Sequence, residues 1–297
     1  MIKHYLQGFL MGTADIIPGV SGGTMALIVG IYERLVGSIS RFFAAIANGA
    51  RGRVGDARRG MGEVDWRLLL PLGLGIVTAI AVGAQIIPGL LERYPMQARG
   101  LFLGLVAGSI LIPWLRLERM GGREVALALV AGVVAFTLTG LPPRDIADPS
   151  LLYVFLGASV AICAMILPGV SGSFLLAAFG IYGATLAAIN PRSDTFSALY
   201  IGVFMLGAAV GMGLFSRLLS YLLEHRHDAT MAALIGVMAG SLRALWPYQA
   251  EDRSLLAPSA GDPLLSVALL SLTGLALIVL LTLVGHHRVR DAPTGRG

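Results

Sequence analysis

Two short stretches of serine, glycine and threonine follow a Pro-Gly-Val break, and their residue types suit the binding of an anion. The first is Ser21-Gly22-Gly23-Thr24 and the second is Ser171-Gly172-Ser173. Each lies where a new helix begins, so free backbone N–H groups, hydroxyl groups and the positive helix end come together. This combination favours a phosphate or a carboxylate. The alternative is that Ser21, Thr24, Ser171 and Ser173 only cap their own helices.

An acidic side chain precedes the first break inside apolar sequence. Burying a carboxylate there is costly unless it is paired or protonated, so Asp15 needs a partner or a function. We weigh substrate binding or coupling to protons or sodium against hydrogen bonding to unpaired N–H groups of the break. The position 150 residues later holds Met165. Glu33 and Arg34 also occur near the first break only, and a local interfacial ion pair is favoured over a substrate role.

Two arginines are candidates for contact with a phosphate. The planar guanidinium stays charged and donates two parallel hydrogen bonds, which matches phosphate geometry. Arg99 begins an apolar stretch, and Arg217 lies in the last two turns of another. The alternatives are a lipid headgroup contact or simple anchoring for Arg99, and snorkelling to the membrane interface for Arg217.

Catalytic and metal-binding signatures do not accompany these residues. The sequence contains no HExxH, P-loop or Gly-x-Ser-x-Gly motif, so enzymatic chemistry is the weaker hypothesis. The single cysteine, Cys163, cannot form an intramolecular disulfide, and no Cys/His cluster has zinc-ligand spacing. We therefore predict neither a cofactor nor a metal site.

The elements that position these residues are membrane helices. The chain has 297 residues, of which 56% are hydrophobic and 13% charged, with a mean hydropathy of +0.79. Its net charge of +5 is spread between apolar runs, so nucleic-acid binding is not indicated. No small-residue cleavage site precedes the first break, and we predict no removable signal peptide.

Six apolar stretches are each close to the ~20 residues that cross ~30 Å of hydrocarbon. Two further stretches, 4–47 and 151–190, are too long for one span, and each contains the break. Each therefore predicts two helices joined by a pointed turn that must not face lipid. We predict an all-α polytopic membrane protein with spans at 68–91, 98–117, 123–141, 197–223, 229–246 and 264–284.

The chain repeats itself. The breaks align at an offset of 150 residues, together with Gly30-Ile31-Tyr32 and Gly180-Ile181-Tyr182. Further on the offset is 132, which pairs Ala107-Gly108-Ser109 with Ala239-Gly240-Ser241. The first unit is therefore 1–147 and the second 148–297, each a broken pair followed by three spans.

Positive charge orients the two units, because cytoplasmic loops are enriched in lysine and arginine. With the N- and C-termini in the cytoplasm, only six of the 22 basic residues face outward: Arg93, Arg99, Arg144, Arg192, Arg243 and Arg253. Three net crossings per unit then make the units an inverted-topology repeat, as in many secondary transporters. Charge placement leaves open whether the broken pairs are re-entrant or two short full spans. The oligomeric state also stays open.

The stretch from Gly12 to Thr24 resembles the signature of the domain-of-unknown-function 368 family, regarded as polyprenyl-phosphate transporters. The resemblance extends to Gly104-Leu105-Val106-Ala107-Gly108-Ser109 and to Leu167-Pro168-Gly169-Val170-Ser171-Gly172-Ser173, and so covers essentially the whole chain. It implies a bacterial cytoplasmic membrane protein that returns undecaprenyl phosphate from the outer to the inner leaflet for reuse in cell-envelope synthesis. The alternative from the residues alone is a transporter or channel for a small soluble anion. The site residues rest on the physical reasoning above.

Overall fold

The computed structural model describes residues 1–16, 21–189 and 197–290, with the backbone alone at Ala84, Pro88 and 284–290. These residues form helices, and the β-type pairing among them is one isolated bridge between Gln249 and Leu255. Pro18-Gly19-Val20 of the first break, Arg192, and Arg296 near the C-terminus lie outside the described residues.

The first unit contains eight helices. Residues 4–47 were expected to form two helices and form three, and the basic connector after them carries a short helix of its own. The helices are α1 (Ile2–Ile16), α2 (Gly22–Ile28), α3 (Tyr32–Ala50), α4 (Val54–Gly62), α5 (Trp66–Arg93), α6 (Pro95–Ser109), α7 (Leu111–Arg116) and α8 (Gly122–Leu138).

In the described residues of the second unit, 148–189 and 197–290, this order is repeated, and no counterpart of α4 lies among them. The unit's fifth helix, α13 (His227–Ser241), is followed by a 3₁₀ turn, Leu242–Leu245, at the place where α7 follows α6 in the first unit. The helices are α9 (Leu151–Ile166), α10 (Gly172–Ala178), α11 (Tyr182–Ile189), α12 (Ala198–His225), α13 (His227–Ser241) and α14 (Leu264–Arg290).

Glycine explains the additional helix in each broken pair. The backbone has φ +74° at Gly30 and +78° at Gly180, a left-handed conformation that ends α2 and α10 and that other residues rarely adopt. A new helix then begins at Tyr32 and at Tyr182. The expectation of two helices per broken pair is corrected to three.

Several helices are long and apolar enough to cross a bilayer. Among the described residues five satisfy both conditions, namely Trp66–Arg93, Pro95–Arg116, Ala198–His225, His227–Leu245 and Leu264–Leu283. The bent pair α10 and α11 makes a sixth if it is counted as one span. The predicted span 123–141 is shorter than expected, because α8 ends at Leu138 after 17 residues, or ~26 Å. The expectation of an all-α polytopic membrane protein is confirmed.

Within each unit, the first helix lies directly against the long helix. A Cβ on Gly75 of α5 would overlap the carbonyl oxygen of Tyr5, and a Cβ on Gly207 of α12 would overlap that of Phe155. These two contacts occupy equivalent positions at the offsets of 132 and 150 residues. The two helices of each pair run parallel. In the first pair Gly8 contacts Leu72 and Gly12 contacts Ile76, and in the second pair Gly211 contacts Ser159.

The last helix of each unit packs against a helix of the other unit. Gly104 of α6 approaches the backbone of Ser271 in α14, and its equivalent, Gly236 of α13, approaches the backbone of Ala128 in α8. In both places an added Cβ would overlap the facing carbonyl oxygen. Each unit therefore packs its last helix against the other unit, and small residues allow the close approach. The division into two units at residue 147 stays a prediction, which these equivalent contacts support.

The largest buried cluster joins both units around the first broken pair. It contains Leu27 of α2, Tyr32 of α3, Leu72 of α5 and Ile166 of α9, together with Met238 of α13. The cluster therefore surrounds the ends of the two breaks, where the candidate site lies.

Candidate functional site

Two helical hairpins flank the breaks, formed by α1 with α2 and by α9 with α10, and the described residues next to each break are called the tip of that hairpin. The side-chain amide of Gln7 in α1 donates to the carbonyl of Val29 after α2, over 3.2 Å. Tyr153 near the start of α9 donates its hydroxyl to the carbonyl of Phe179 after α10, over 2.9 Å. The second arm of each hairpin has seven residues, or ~10 Å, far less than the ~30 Å hydrocarbon core. These lengths favour re-entrant hairpins over pairs of full spans.

The polar groups described at the first tip are hydrogen-bonded within the protein. Ser21 is the N-cap of α2 and accepts from the amide of Gly23 over 3.0 Å. The amide of Gly22 donates to Oδ1 of Asp15 over 2.7 Å. A Cβ on Gly22 would lie 2.7 Å from Oδ2 of the same carboxylate. Asp15 thus bonds to an N–H of the break, as in the structural alternative considered above, and its second oxygen stays close to the tip.

The second tip is organised differently. The hydroxyls of Ser171 and Ser173 lie 2.9 Å apart and share a hydrogen bond, and Ser171 makes no side-chain cap. Gly169 has φ +90°, and a Cβ there would lie 2.5 Å from Oγ of Ser241. Only glycine fits this position. Ser21 therefore caps its own helix, whereas the side chain of Ser171 does not.

The two tips contact each other. The amide of Gly169 donates to Oγ1 of the buried Thr24 over 2.7 Å. The hydroxyl of Ser21 lies 3.1 Å from the carbonyl oxygen of Met165 and 3.4 Å from that of Leu167. The structure therefore brings the two serine- and glycine-rich stretches together, and their contact uses groups that were expected to bind an anion.

The helix dipoles contribute less to the predicted anion site than was expected. Because α2 and α10 have seven residues each, few aligned peptide dipoles add to the positive helix end. The hydroxyl and amide groups themselves become the main donors. In the described conformation Thr24 and Ser21 are bonded to the opposite hairpin, so a phosphate reaches them only if the tips separate. Anion binding by these residues stays a prediction.

A cavity of about 170 Å³ lies beside the first tip. Its polar lining is Asp15, Gly22, Gly23 and the hydroxyl-bearing Tyr32, and the remainder is apolar. Tyr32 is 1% exposed, and among the described residues its hydroxyl has no hydrogen-bond partner. Sequence reasoning missed Tyr32 as a candidate, although the repeated Gly-Ile-Tyr triplet was a signal. Its equivalent, Tyr182, is 41% exposed.

The structure does not place the two candidate arginines at the tips. Arg99 is partly buried near the start of α6, and Arg217 is exposed on α12. Among the described residues neither side chain makes a hydrogen bond or an ion pair with the tips. Their roles in phosphate binding stay predictions, and direct contact requires movement of the side chains or the lipid headgroup.

Glu33 and Arg34 form ion pairs, but with other elements. Glu33 accepts from Arg116 at the end of α7 over 2.9 Å. Arg34 pairs with Asp65, the N-cap of α5, over 2.5 Å. The prediction of a local pair is corrected, because adjacent residues on a helix point in different directions and each finds its own partner. The two pairs fix the start of α3 against two other helices.

Two apolar grooves open on the helix surfaces outside the tips. One, of about 460 Å³, lies between α8 and α13 and is lined by residues such as Val133, Phe136 and Gly236. The other, of about 390 Å³, lies along α12 and α13 and includes Arg123, Arg226 and Leu167. Both grooves are lined almost entirely by apolar side chains.

The long apolar helices define a multi-pass membrane protein, and the tips of two helical hairpins meet among them. The chain belongs to the family described as VCA0040-like, undecaprenyl phosphate translocase-like, whose sequence profile matches residues 11–261. The resemblance to this family noted from the sequence is confirmed.

Two relatives show the extent of the similarity. A protein of Vibrio cholerae named polyprenyl-phosphate transporter is 37% identical over 266 residues, which are 88% of this chain and 82% of the relative. A protein of Staphylococcus aureus with the same name is 30% identical over 263 residues, which are 82% of this chain and 86% of the relative. No solved structure is significantly similar to this chain.

Proposed function

We propose that this protein transports a polyprenyl phosphate, with undecaprenyl phosphate as the expected lipid, across the bacterial cytoplasmic membrane. The observation that carries the proposal is the contact of the two hairpin tips through Thr24 and Gly169 inside the helix bundle. The names of the relatives from Vibrio cholerae and Staphylococcus aureus support the same substrate class. The lipid moves from the outer to the inner leaflet, where envelope synthesis uses the carrier again.

The proposed topology has cytoplasmic termini and an inverted repeat. Helix contacts support it: α1 runs parallel to α5 and α9 to α12, while α6 runs parallel to α14 and α8 to α13. The backbone amide of Glu118 after α7 donates to Asp228 at the start of α13, so α13 begins where α7 ends. Equivalent helices of the two units then run in opposite directions, and one hairpin enters from each face.

The headgroup crosses and the chain stays in lipid. Moving a charged phosphate through a low-dielectric core is the main barrier, whereas the isoprenoid chain never leaves an apolar surrounding. When the tips separate, the amide of Gly169 and the hydroxyls of Ser21 and Thr24 lose their partners and become free to bind phosphate oxygens. Ser171, Gly172, Ser173, Gly22 and Gly23 complete this set of donors, and Arg99 and Arg217 assist at the two sides.

Asp15 couples the tips to an ion in this proposal. Its carboxylate and the hydroxyl of Tyr32 are the polar side chains of the cavity beside the first tip. A proton or a sodium ion on Asp15 neutralises a charge that would otherwise repel the phosphate. The second unit has Met165 at this position, so the two tips have different roles.

The test is a translocation assay with purified protein in liposomes. A fluorescent polyprenyl phosphate is placed in both leaflets, and an impermeant quencher reports the rate at which the inner-leaflet pool reaches the outside. We expect fast exchange with the protein and slow exchange in protein-free liposomes. Full activity of Arg99→Ala, Arg217→Ala and Ser21→Ala would contradict the proposed site.

Two further readouts separate the rival functions. Uptake of inorganic phosphate without lipid exchange would identify a transporter for a small soluble anion. Release of inorganic phosphate from polyprenyl phosphate would identify a hydrolase. The grooves that open toward lipid favour the lipid substrate over the soluble anion.

A further inference from the structure

The groove along α12, α13 and α8 connects basic residues with the second hairpin tip. Arg123 and Arg226 lie at one end, and Leu167, the last residue before the second break, lies on the wall. From Phe215 to Arg226 the groove follows α12 for ~16 Å. The wall is apolar and consists mainly of Leu127, Phe215, Leu219, Leu222, Ala229, Ala233, Leu234 and Val237.

The two arginines are not neutralised by the acidic groups around them in the described part of the chain. Both are exposed, and neither guanidinium makes a hydrogen bond or an ion pair there. Asp228 accepts from the backbone amides of Glu118 and Arg119 over 3.0 and 3.2 Å. Another nearby carboxylate, that of Glu124, accepts from the amide of Gly121 over 3.1 Å. Both carboxylates accept hydrogen bonds from backbone amides and not from the two arginines, so the guanidinium groups are available to a ligand.

The ligand chemistry follows from the combination. Two guanidinium groups at one mouth suit a phosphate, since each donates a planar pair of hydrogen bonds. The wall offers almost no polar surface, because the hydroxyl of Thr230 is bonded to the carbonyl of Arg226 over 2.9 Å. An anion without an apolar chain would leave this wall exposed. The groove therefore fits a phosphate attached to a long hydrocarbon chain.

The basic pair belongs to one unit interface only. At the equivalent positions of the other interface, offsets of 132 and 143 residues place Tyr94 for Arg226 and Ser266 for Arg123. The equivalent surface along α5, α6 and α14 therefore lacks this pair. The basic pair therefore makes the two interfaces between the units chemically different, although their helices are equivalent.

We propose that this groove is a binding site for polyprenyl phosphate, with the phosphate between Arg123 and Arg226 and the isoprenoid chain along the apolar wall toward the second tip. The inference rests on the proposed function, and in the topology given above the arginines face the cytoplasm. The site holds the lipid at the inner leaflet, one step from the tips.

The test is equilibrium binding to the purified full-length protein in detergent micelles, measured by native mass spectrometry. The ligands are polyprenyl phosphate, the uncharged polyprenol, and phosphatidylglycerol as an anionic lipid with two chains. We expect the double variant Arg123→Gln/Arg226→Gln to weaken polyprenyl phosphate binding about tenfold or more, as for the loss of charge-assisted hydrogen bonds. Polyprenol binding should not change.

The control variant is Arg53→Gln/Arg58→Gln, which removes two exposed arginines at α4 and should leave binding unaltered. Ala233→Phe, which fills the groove, should weaken both polyprenyl ligands while leaving the arginines in place. Unchanged polyprenyl phosphate binding in the double variant overturns the proposal. Equal loss of phosphatidylglycerol and polyprenyl phosphate also overturns it, because it would show a general anionic-lipid contact.

The binding and transport experiments distinguish failure of the groove proposal from failure of the proposed function. If wild-type protein binds polyprenyl phosphate through the two arginines but exchanges no lipid in liposomes, the groove stands and the proposed function fails. If transport proceeds and the double variant still binds normally, the function stands and the groove fails.

Discussion

The amide of Gly169 donates a 2.7 Å hydrogen bond to the side-chain oxygen of Thr24, a residue 145 positions earlier in the chain. This bond joins the tips of two hairpins that come from different units. Thr24 is 1% exposed, so the bond is formed away from water. Thr24 lies in the first turn of α2 and Gly169 in the second break, so the bond joins the beginning of α2 to the opposite hairpin.

Thr24→Val should destabilise the protein. The variant keeps the shape of the side chain but leaves the buried amide of Gly169 without an acceptor, at a cost of ~1–3 kcal/mol. We expect a lower Tm in detergent for Thr24→Val, and a Tm close to wild type for Thr24→Ser, which retains the hydroxyl. Equal Tm values for Thr24→Val and wild type would show that the tip contact contributes nothing to stability.

Gly104→Ala and Gly236→Ala should each disturb the packing between units. The added methyl group would overlap the carbonyl oxygen of Ser271 or Ala128, and overpacking of this kind typically costs ~1–3 kcal/mol. Gly73→Ala and Gly202→Ala are matched controls in α5 and α12, where an added Cβ meets no atom within 4 Å. Thermal unfolding should separate the two groups, and a loss of Tm in the controls as large as in the test variants would contradict the account.

Tyr32→Phe should leave stability nearly unchanged and reduce transport. Among the described residues the hydroxyl has no partner, so its removal breaks no hydrogen bond there. If the hydroxyl binds the coupling ion or the headgroup in the cavity beside Asp15, translocation slows. Tyr182→Phe, at the exposed equivalent position, is the control and should behave as wild type in Tm and rate.

Asp15→Asn should uncouple transport from an ion gradient. The amide oxygen can still accept from Gly22, so the tip keeps its shape, but the side chain no longer carries a charge. We expect wild-type exchange to respond to an imposed proton or sodium gradient and the variant to ignore both. An unchanged gradient response in the variant would remove Asp15 from the coupling step.

The helix breaks and the repeat were predictable because proline and glycine interrupt helices locally and the two copies retain the same residues. The sequence could not reveal that α6 packs against α14 and α13 against α8, because their sequence separation carries no local signal. Gly30 was visible in the repeated triplet, but its left-handed backbone and the additional helix that follows were missed.

The sequence identified residues of the candidate site but not the contacts that they form. Ser21 and Thr24 were identified from their types and positions, and the structure places both at the meeting point of the tips. Their partners lie in the other unit, so spacing could not predict the bonds that they form. The ion pair of Arg34 with Asp65 was missed because the partners lie in the same unit but 31 residues apart in the chain, on different helices.

Passage of the headgroup between the tips is tested by the translocation rate of fluorescent polyprenyl phosphate when the tips are held together. The variant Ser21→Cys/Leu167→Cys in a Cys163→Ala background is treated with a short bifunctional thiol reagent that reduction cleaves. Ala45→Cys/Gly60→Cys, which links α3 to α4, is the control. Cross-linking of the tips should stop exchange, reduction should restore the rate that the same variant has before cross-linking, and the control should exchange lipid throughout. Unchanged exchange with fully cross-linked tips would contradict passage of the headgroup between them.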